Sequence, residues 1–404
     1  APGHAPQPLS GAGVPVSGTQ NPQTTGTGEA RNPFARYDED LAWAAYAAAH
    51  GMTTDDRRAI VESLDAALVA VGGVPFVSTP FARSDELSAA LGFTDGGGIW
   101  VKDQTGDVAG SHKARHLATI LFHLLAAEQL GHLRERAPLA IASCGNAALA
   151  AATLAAAAHW PIDVYVPTWM NPAFGAEMER LGARIHPCER RPSDPAGDPA
   201  MLRFREAVAT GAIPFSVQGP ENALALDGGR TLGWEIADGA THAGFGTPDR
   251  VYVQVGGGAL AASVARALGD RYGQPPVRTV QVAGCAPLAR AWELAADDLD
   301  TGPARLGERW NELMTPWPDP HSLADGILDD ETYDWLAIVE ALTPSGSAPV
   351  VAAETDVVAA HHLATGAGFD VSATGSAGLA GVLASIDTIA PTERVVVIMS
   401  GVQR

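Results

Sequence analysis

Lysine is almost absent from this chain, and its scarcity singles out two positions. Of the 26 basic residues among 404, only Lys102 and Lys113 are lysines, and the other 24 are arginines. Arginine stays protonated in proteins, whereas a lysine amine can lose its proton and attack a carbonyl group. The two lysines are therefore the first candidates for covalent chemistry.

Cysteine is also scarce, which excludes two structural classes. The three cysteines, Cys144, Cys188 and Cys285, form no C-x-x-C pair and are too few for a disulfide framework in a chain of this length. We therefore expect neither a disulfide scaffold nor a zinc ribbon, and no metal site. This cysteine usage fits a reducing compartment, so a cytoplasmic location is expected.

Positive charge is deficient overall, with 26 basic against 46 acidic residues and a formal net charge of −20. Because such a charge repels phosphate backbones, nucleic-acid binding is disfavoured. The longest apolar run, residues 147–158, is shorter than the ~18 residues of a membrane span. The first residues lack a basic stretch followed by an apolar one, so no secretory signal is expected. We expect a small-molecule partner.

Apolar segments of strand length alternate with helical patterns through most of the chain. Predicted strands at 139–142, 162–166 and 251–255 are each followed by a predicted helix. Such alternation predicts βαβ units with parallel sheets. The expected fold class is α/β, with two parallel-type twisted sheets flanked by helices and an active site in the cleft between two domains.

Lys113 lies at the predicted start of a helix, in the sequence Gly-Ser-His-Lys-Ala-Arg from Gly110 to Arg115, with Ser111 as the expected N-cap. The positive end of the helix dipole disfavours the ammonium form and helps to free the amine. The same helix start offers unpaired N–H groups to a phosphate. A carbonyl-bearing, phosphorylated cofactor would use both features.

Three further segments place small residues in turns before helices. Residues 143–146, Ser-Cys-Gly-Asn, follow a predicted strand and are expected to form an anion cradle. Residues 256–258 are three glycines between a strand and a helix, which lets backbone N–H groups close around a phosphate. They match neither G-x-G-x-x-G nor a Walker loop, which disfavours dinucleotides and nucleotides. Residues 370–379 are predicted to be a loop of small and hydroxyl-bearing residues before a helix.

In this order and spacing, the four segments resemble the fold type II family of pyridoxal-phosphate (PLP) enzymes. That family includes serine and threonine dehydratases, threonine synthase, cysteine synthase and the tryptophan synthase β chain. Residues 110–115 resemble its Ser-x-Lys Schiff-base motif, 143–146 its Ser-x-Gly-Asn loop and 256–258 its phosphate loop. Residues 227–236 and 395–401 are also similar to family segments. The resemblance covers about residues 74–401.

The resemblance implies PLP as the cofactor, a tryptophan synthase β-like fold and a homodimer. Residues 34–135 and 216–404 are accordingly assigned to a large PLP-binding domain, and residues 136–215 to a small domain. Residues 1–33 lie outside the resemblance. They are rich in Gly, Pro, Ser, Thr and Gln without apolar periodicity, so we expect a flexible N-terminal arm.

The resemblance also implies a role for each matched residue. Lys113 would hold PLP as a Schiff base and then remove the Cα proton of the substrate. Asn146 would contact the 3′-oxygen of the cofactor, and His112 would lie by its phosphate. Thr374 is our first choice for the partner of the pyridine nitrogen, and Ser376 the second. The phosphate would be bound by Gly256, Gly257, Gly258 and Ala259, and the substrate carboxylate by Ser143, Cys144, Gly145 and Ala147.

The residue after the loop asparagine favours one reaction type. Threonine synthases and cysteine synthases typically have Thr there, whereas this chain has Ala147, as in some dehydratase loops. No basic cluster for a substrate phosphate lies near the motifs, although an arginine from elsewhere could reach in. We therefore predict a PLP-dependent lyase for β-elimination on a small hydroxy or β-substituted amino acid, giving an aminoacrylate, then a 2-oxo acid and ammonia. The alternatives are a threonine synthase-like or cysteine synthase-like replacement transferase, and a non-catalytic PLP-fold binding protein.

Overall fold

The computed structural model describes residues 31–94, 96–195 and 197–404. Most of the predicted flexible arm, residues 1–30, lies outside the described residues. Pro33 already belongs to a helix, because the Asn32 side chain accepts a hydrogen bond of 2.8 Å from the N–H of Phe34 and caps it. Within the described residues, no helix combines the length and apolar character needed to cross a bilayer.

Six strands form the larger sheet. Their bounds are β1 Phe81–Ser84, β2 Gly98–Asp103, β7 Arg250–Gln254, β8 Val277–Val282, β9 Val350–Ala352 and β10 Arg394–Met399. The order is β1-β2-β10-β7-β8-β9, and only β1 runs antiparallel to its neighbour. Sequence patterning does not predict β1, since only its two end residues are buried and no apolar alternation marks it.

Four strands form the smaller sheet, and all of their pairings are parallel. The order is β5-β4-β3-β6, with bounds β3 Leu139–Ala142, β4 Ile162–Pro167, β5 Arg184–Cys188 and β6 Ile213–Pro214. The predicted α/β class with two parallel-type sheets is therefore confirmed. The smaller sheet lies within residues 136–215, the range assigned to the small domain.

Helices connect the strands, as expected for βαβ units. Those of the described residues are α1 Pro33–Arg36, α2 Ala42–Ala49, α3 Thr54–Ala70, α4 Asp85–Ala90, α5 Lys113–Gln129, α6 Asn146–Ala157, α7 Pro172–Arg180, α8 Pro199–Ala209, α9 Leu224–His242, α10 Ala259–Tyr272, α11 Pro287–Leu294, α12 Pro303–Glu308, α13 Trp310–Leu313, α14 Trp335–Leu342, α15 Glu354–Gly366 and α16 Ala373–Ala384.

An aromatic cluster fixes the first helices against α5, the helix that begins at Lys113. The ring centroid of Phe34 lies 4.9 Å from that of Phe76 and 5.1 Å from that of Phe122 on α5, and Trp43 on α2 lies 5.1 Å from Phe122. Each such pair adds about 0.5–1.5 kcal/mol beyond the burial of apolar area. The segment that precedes the resemblance thus braces the lysine-bearing helix.

Candidate active site

Lys113 is the first residue of α5, and a tight turn after β2 leads to it. Ala109 and Gly110 take left-handed backbone conformations, with φ of 54° and 67°. Ser111 then forms an isolated bridge with Gly401, just after β10. Ser111 does not cap α5 as predicted: within the described part of the chain its buried hydroxyl has no hydrogen-bond partner. The N-terminus of α5 is thus tied to the end of β10.

Lys113 is a half-buried residue, and the carboxyl groups of Asp329 and Asp334 lie near enough to act on its amine. Burial lowers the pKa of Lys113, and the charges of Asp329 and Asp334 oppose part of that lowering. A lysine with a lowered pKa is more readily present as the neutral amine, the form that attacks carbonyl groups and accepts protons. The pKa of Lys113 is thus lowered in the direction that the sequence predicts, but the cause is burial and not the helix dipole.

His112 links the lysine to the end of β10. Its backbone N–H donates to the carbonyl oxygen of Ser400 at 3.1 Å, and its ring Nδ1 lies 3.0 Å from the same oxygen. Burial lowers the pKa of His112 well below its usual value, and the Lys113 charge lowers it further. The ring is therefore neutral, with the proton on Nδ1 facing the carbonyl. This contact fixes the orientation of the residue that precedes the amine.

Lys102, the other lysine, belongs to a buried ion network. Its amine pairs with Glu235 on α9 and donates to the carbonyl oxygen of Thr79 at 2.6 Å. Arg115 pairs with the same Glu235 at 2.7 Å and with Asp107 at 2.6 Å, and all four charged side chains are almost fully buried. Although burial acts to raise it, the pKa of Glu235 is held below its usual value by Arg115 and Lys102. The contacts of Lys102 thus indicate a role in stabilising the fold.

The same network and two glycines position α5 against α9. A side chain at Gly228 would place its Cβ 2.1 Å from the carbonyl oxygen of Arg115, and one at Gly229 would place it 2.3 Å from Cε1 of His116. Only glycine allows the two helix backbones to approach so closely. This explains the Asp-Gly-Gly-Arg sequence at 227–230, and it sets the position of the helix that carries Lys113.

The loop at 143–146 follows β3 and leads into α6, which begins at Asn146. Gly145 precedes the helix, and within the described residues no side chain caps its N–H groups. Burial raises the pKa of the Cys144 thiol, so this residue is a neutral, weak donor. A Cβ on Gly401 would lie 3.4 Å from Asn146 Nδ2 and 3.3 Å from Ser111 Cβ. The loop therefore lies beside the turn before Lys113.

The glycines at 256–258 connect β7 to α10, which begins at Ala259. Gly258 has φ of +104°, a conformation that strains other residues. A Cβ on Gly256 would lie 2.5 Å from Asp329 Oδ2 and 2.9 Å from Ile327 Cα. The loop is therefore packed directly against the segment that carries Asp329.

Sequence reasoning did not find this acidic segment, residues 325–334. The N–H of Gly257 donates to the Asp329 carboxylate, and burial raises the pKa of Asp329. Asp334 accepts a hydrogen bond of 3.0 Å from the N–H of Gly219, and burial raises its pKa to about 7. No motif or periodicity marks these residues; the only sequence signal is the cluster of acidic residues itself.

Comparison with known proteins identifies the family. A family model described as pyridoxal-phosphate dependent enzyme matches residues 75–401. The chain belongs to this family. Among curated protein sequences, none matches the chain.

Solved structures of PLP-dependent enzymes share the fold. Threonine deaminase from T.th. superposes with a TM-score of 0.65 at 21% identity, covering 85% of this chain and 98% of that one. Maize serine racemase superposes with a TM-score of 0.64 at 18% identity, covering 85% of this chain and 93% of the racemase. Diaminopropionate ammonia-lyase from Escherichia coli superposes with a TM-score of 0.65 at 16% identity, covering 85% of this chain and 89% of the lyase.

The residues of this PLP-dependent enzyme fit the cofactor. Lys113 offers an amine for its aldehyde, and α10 begins with N–H groups that no described side chain caps, as an anion requires. The buried Ser111 hydroxyl, which lacks a partner among the described residues, is a further polar group for a ligand. A carboxyl group beside a phosphate must be neutral or move away, and the raised pKa of Asp329 favours the neutral form.

The loop predicted at 370–379 ends at Ser372, since the helix begins earlier than expected, and this affects both candidates for the pyridine nitrogen. Ser372 caps α16, so Thr374 and Ser376 lie in the first turn of a helix. The Ser376 hydroxyl is buried and donates to the carbonyls of Ser372 and Ala373. The Thr374 hydroxyl accepts from the N–H of Gly326 at 2.9 Å and donates to an Asp325 carboxylate oxygen at 3.2 Å. Both hydroxyls thus already have partners.

Ser400 offers a third hydroxyl that sequence reasoning missed. It directly follows β10, and its buried Oγ accepts a hydrogen bond of 2.7 Å from Nε2 of Gln254. Its carbonyl binds His112, the neighbour of Lys113. One sequence signal was available: ligands of α/β sheets bind beyond the carboxyl ends of the strands, where Ser400 lies.

A substitution in the glycine loop tests its proposed contact with the phosphate. Gly258→Ala is expected to weaken PLP binding, because a left-handed backbone costs other residues about 1–2 kcal/mol and its Cβ would meet Thr332 at 3.0 Å. We expect the dissociation constant of PLP, measured by absorbance titration, to rise about tenfold. Gly269→Ala, within the helix α10 that Gly258 precedes, is the control, since its Cβ meets nothing closer than 3.8 Å. Equal PLP affinity in the two variants would contradict the assignment.

Proposed function

We propose that this PLP-dependent enzyme is a lyase that catalyses β-elimination on a small hydroxy or β-substituted amino acid and releases a 2-oxo acid and ammonia. The observation that carries the proposal is the position of Lys113, a half-buried residue at the start of α5 whose amine has a lowered pKa. Ala147, in the first turn of α6, is buried and brings no hydroxyl to the substrate. A loop without that hydroxyl supports elimination over replacement.

Each residue near Lys113 has a distinct task in this proposal. Bound PLP supplies an electron sink for the pair left at Cα when the proton departs. Lys113 holds the cofactor and then accepts the Cα proton at Nζ. The carboxyl group of Asp334 lies near enough to act on that amine and stabilises its protonated form. The departing β-substituent takes the electrons of its own bond and can receive the proton back from Lys113.

Binding is assigned to the backbone as much as to side chains. We propose that Gly256, Gly257, Gly258 and Ala259 hold the phosphate, and that Ser143, Cys144, Gly145 and Ala147 hold the substrate carboxylate. Asn146 is assigned to the 3′-oxygen, and His112 to the vicinity of the phosphate. For the pyridine nitrogen we now propose Ser400 beside Thr374 and Ser376, because it is buried next to His112.

Names of the similar structures support elimination without deciding it. Threonine deaminase, diaminopropionate ammonia-lyase and a fungal L-serine ammonia-lyase are named for the release of ammonia from amino acids. Others are named as racemases or as a synthase. We further propose two domains, 34–135 with 216–404 and 136–215, in a cytoplasmic homodimer, which the resemblance and the composition predict.

The test is a product assay on the PLP-loaded enzyme. L-serine, L-threonine, 2,3-diaminopropionate and the O-acetyl and O-phospho derivatives of L-serine are supplied one at a time without a nucleophile. We expect at least one of them to yield ammonia and a 2-oxo acid, in equal amounts or, from 2,3-diaminopropionate, with two molecules of ammonia for each 2-oxo acid because its β-amino group also leaves. Turnover only with an added thiol or amine would favour the replacement transferase. A cofactor spectrum that no amino acid changes would favour the binding protein.

A further inference from the structure

Arg404 reaches the proposed active site from beyond β10. Its Nε donates to Asn146 Oδ1 at 3.0 Å, and its Nη2 donates to the carbonyl oxygen of Ala109. Its guanidinium also lies over the ring of Phe174 on α7, 6.0 Å from the centroid. Arg404 therefore connects the turn before Lys113 with α6 and α7, the helices that follow β3 and β4.

The chain is shaped to hold this side chain. The bridge between Ser111 and Gly401 and the hydrogen bond of 2.9 Å from the N–H of Val402 to the carbonyl of Gly110 fix the path after β10. A Cβ on Gly110 would lie 2.8 Å from Arg404 Nη2 and 2.7 Å from Val402 Cγ1. Glycine at this position thus leaves the space that the guanidinium occupies.

Arg404 has a positive charge without a carboxylate to balance it. Within residues 31–94, 96–195 and 197–404, no carboxylate forms an ion pair with it, and its two acceptors are both neutral. Glu177 is near enough to affect the pKa of Arg404 but is already paired with Arg180 at 2.7 Å. In a chain with a net charge of −20, a cation left unpaired at the active site is available to an anion.

An amino-acid substrate can offer this arginine either its α-carboxylate or an acidic side chain. The α-carboxylate is already provided with N–H and side-chain donors by residues 143–147. The carboxyl group of Asp334, near Lys113, would repel a negative substrate side chain when it is ionised, unless a cation faced that side chain from another direction. Arg404 contacts Asn146, Ala109 and Phe174, so it is a cation placed to serve this purpose.

We propose that Arg404 binds a second acidic group of the substrate, so that the enzyme prefers amino acids with a carboxylate or phosphate on the β-carbon. This inference rests on the proposed function, since it assumes that an amino acid binds beside Lys113. It makes Arg404 a residue that determines specificity and takes no part in proton transfer.

Two amino acids of equal shape test the proposal without turnover. L-aspartate and L-asparagine differ in side-chain charge, and neither carries a good β-leaving group. Their dissociation constants are measured on the PLP-loaded enzyme from the change in cofactor absorbance. We expect L-aspartate to bind at least about tenfold more tightly. In R404Q the preference should disappear, and in R404K it should be kept in part.

The matched control is R134Q, which removes one exposed positive charge elsewhere and should keep the preference for L-aspartate. Thermal unfolding of each variant checks that the fold is retained. Equal affinities in the unaltered enzyme would overturn the inference. So would R404Q weakening both ligands equally, since that result assigns Arg404 to the α-carboxylate. If no amino acid changes the spectrum, the proposed function fails as well, so the two failures are distinguishable.

A kinetic comparison then distinguishes a substrate phosphate from a substrate side-chain carboxylate as the group that Arg404 binds. O-phospho-L-serine and L-3-hydroxyaspartate are each compared with L-serine by kcat/KM. We expect at least one of the acidic substrates to exceed L-serine about tenfold, and R404Q to remove the advantage mainly through KM. An advantage for L-serine over both acidic substrates would overturn the inference.

Discussion

Lys113→Ala is expected to reduce turnover by about 10³-fold or more and to remove the visible absorbance of the lysine-bound cofactor. The loss has two causes: PLP is no longer attached to the chain, and no base of lowered pKa remains beside Cα. Turnover is measured as ammonia release at saturating PLP, and attachment as absorbance after gel filtration.

Two controls separate lost chemistry from lost folding. Lys113→Arg keeps a positive charge at the start of α5 but cannot form the covalent bond, so it should be as inactive as the alanine variant. Addition of a small amine such as methylamine to Lys113→Ala should restore part of the turnover, because it replaces the missing base. An alanine variant that retains full activity would contradict both the family role of Lys113 and the proposed function.

Lys102→Met is expected to lower the free energy of unfolding by about 3–5 kcal/mol, measured by urea denaturation. Methionine fills a similar volume but leaves Glu235 with Arg115 and Asp107 in a fully buried network that is no longer neutral. We expect the folded fraction to keep its cofactor absorbance. Substitution of the two lysines should therefore have different effects: loss of Lys113 should abolish the reaction, and loss of Lys102 should lower the stability of the fold.

A double variant distinguishes charge imbalance from lost packing. Lys102→Met with Glu235→Gln restores neutrality, since Arg115 and Asp107 remain as one ion pair. We expect this variant to be more stable than Lys102→Met alone. If Lys102→Met instead leaves the unfolding free energy unchanged while turnover collapses, Lys102 acts in the reaction and the structural role is wrong.

The sequence predicted the parts of the site that local chemistry defines. A helix start with a lysine and turns of small residues at 143–146 and 256–258 expose backbone N–H groups wherever they are placed. The alternation of strands and helices predicted the α/β class for the same reason, since periodicity depends on neighbours in the chain. Scarcity of lysine narrowed the covalent candidates to two, but composition could not tell Lys113 from the structural Lys102.

Errors arose where several local readings were possible. Residues 370–379 have the small side chains of a loop, but Ser372 caps a helix there, which places Thr374 and Ser376 on α16. Ser111 has the residue type of an N-cap, yet its pairing with Gly401 holds it outside the helix start. In the first case a local helix cap selected the conformation. In the second case a tertiary contact selected it.

By itself, the sequence determined the fold class, the cofactor family and the lysine at the centre of the proposed site. Only the tertiary structure brought Asp329 and Asp334 to the amine, Ser400 to His112 and Arg404 to Asn146. Backbone donors and helix starts are properties of a short segment, so the amino-acid sequence of that segment is enough to predict them. Side chains that converge from distant segments depend on how sheets and helices pack, and no local pattern records that packing.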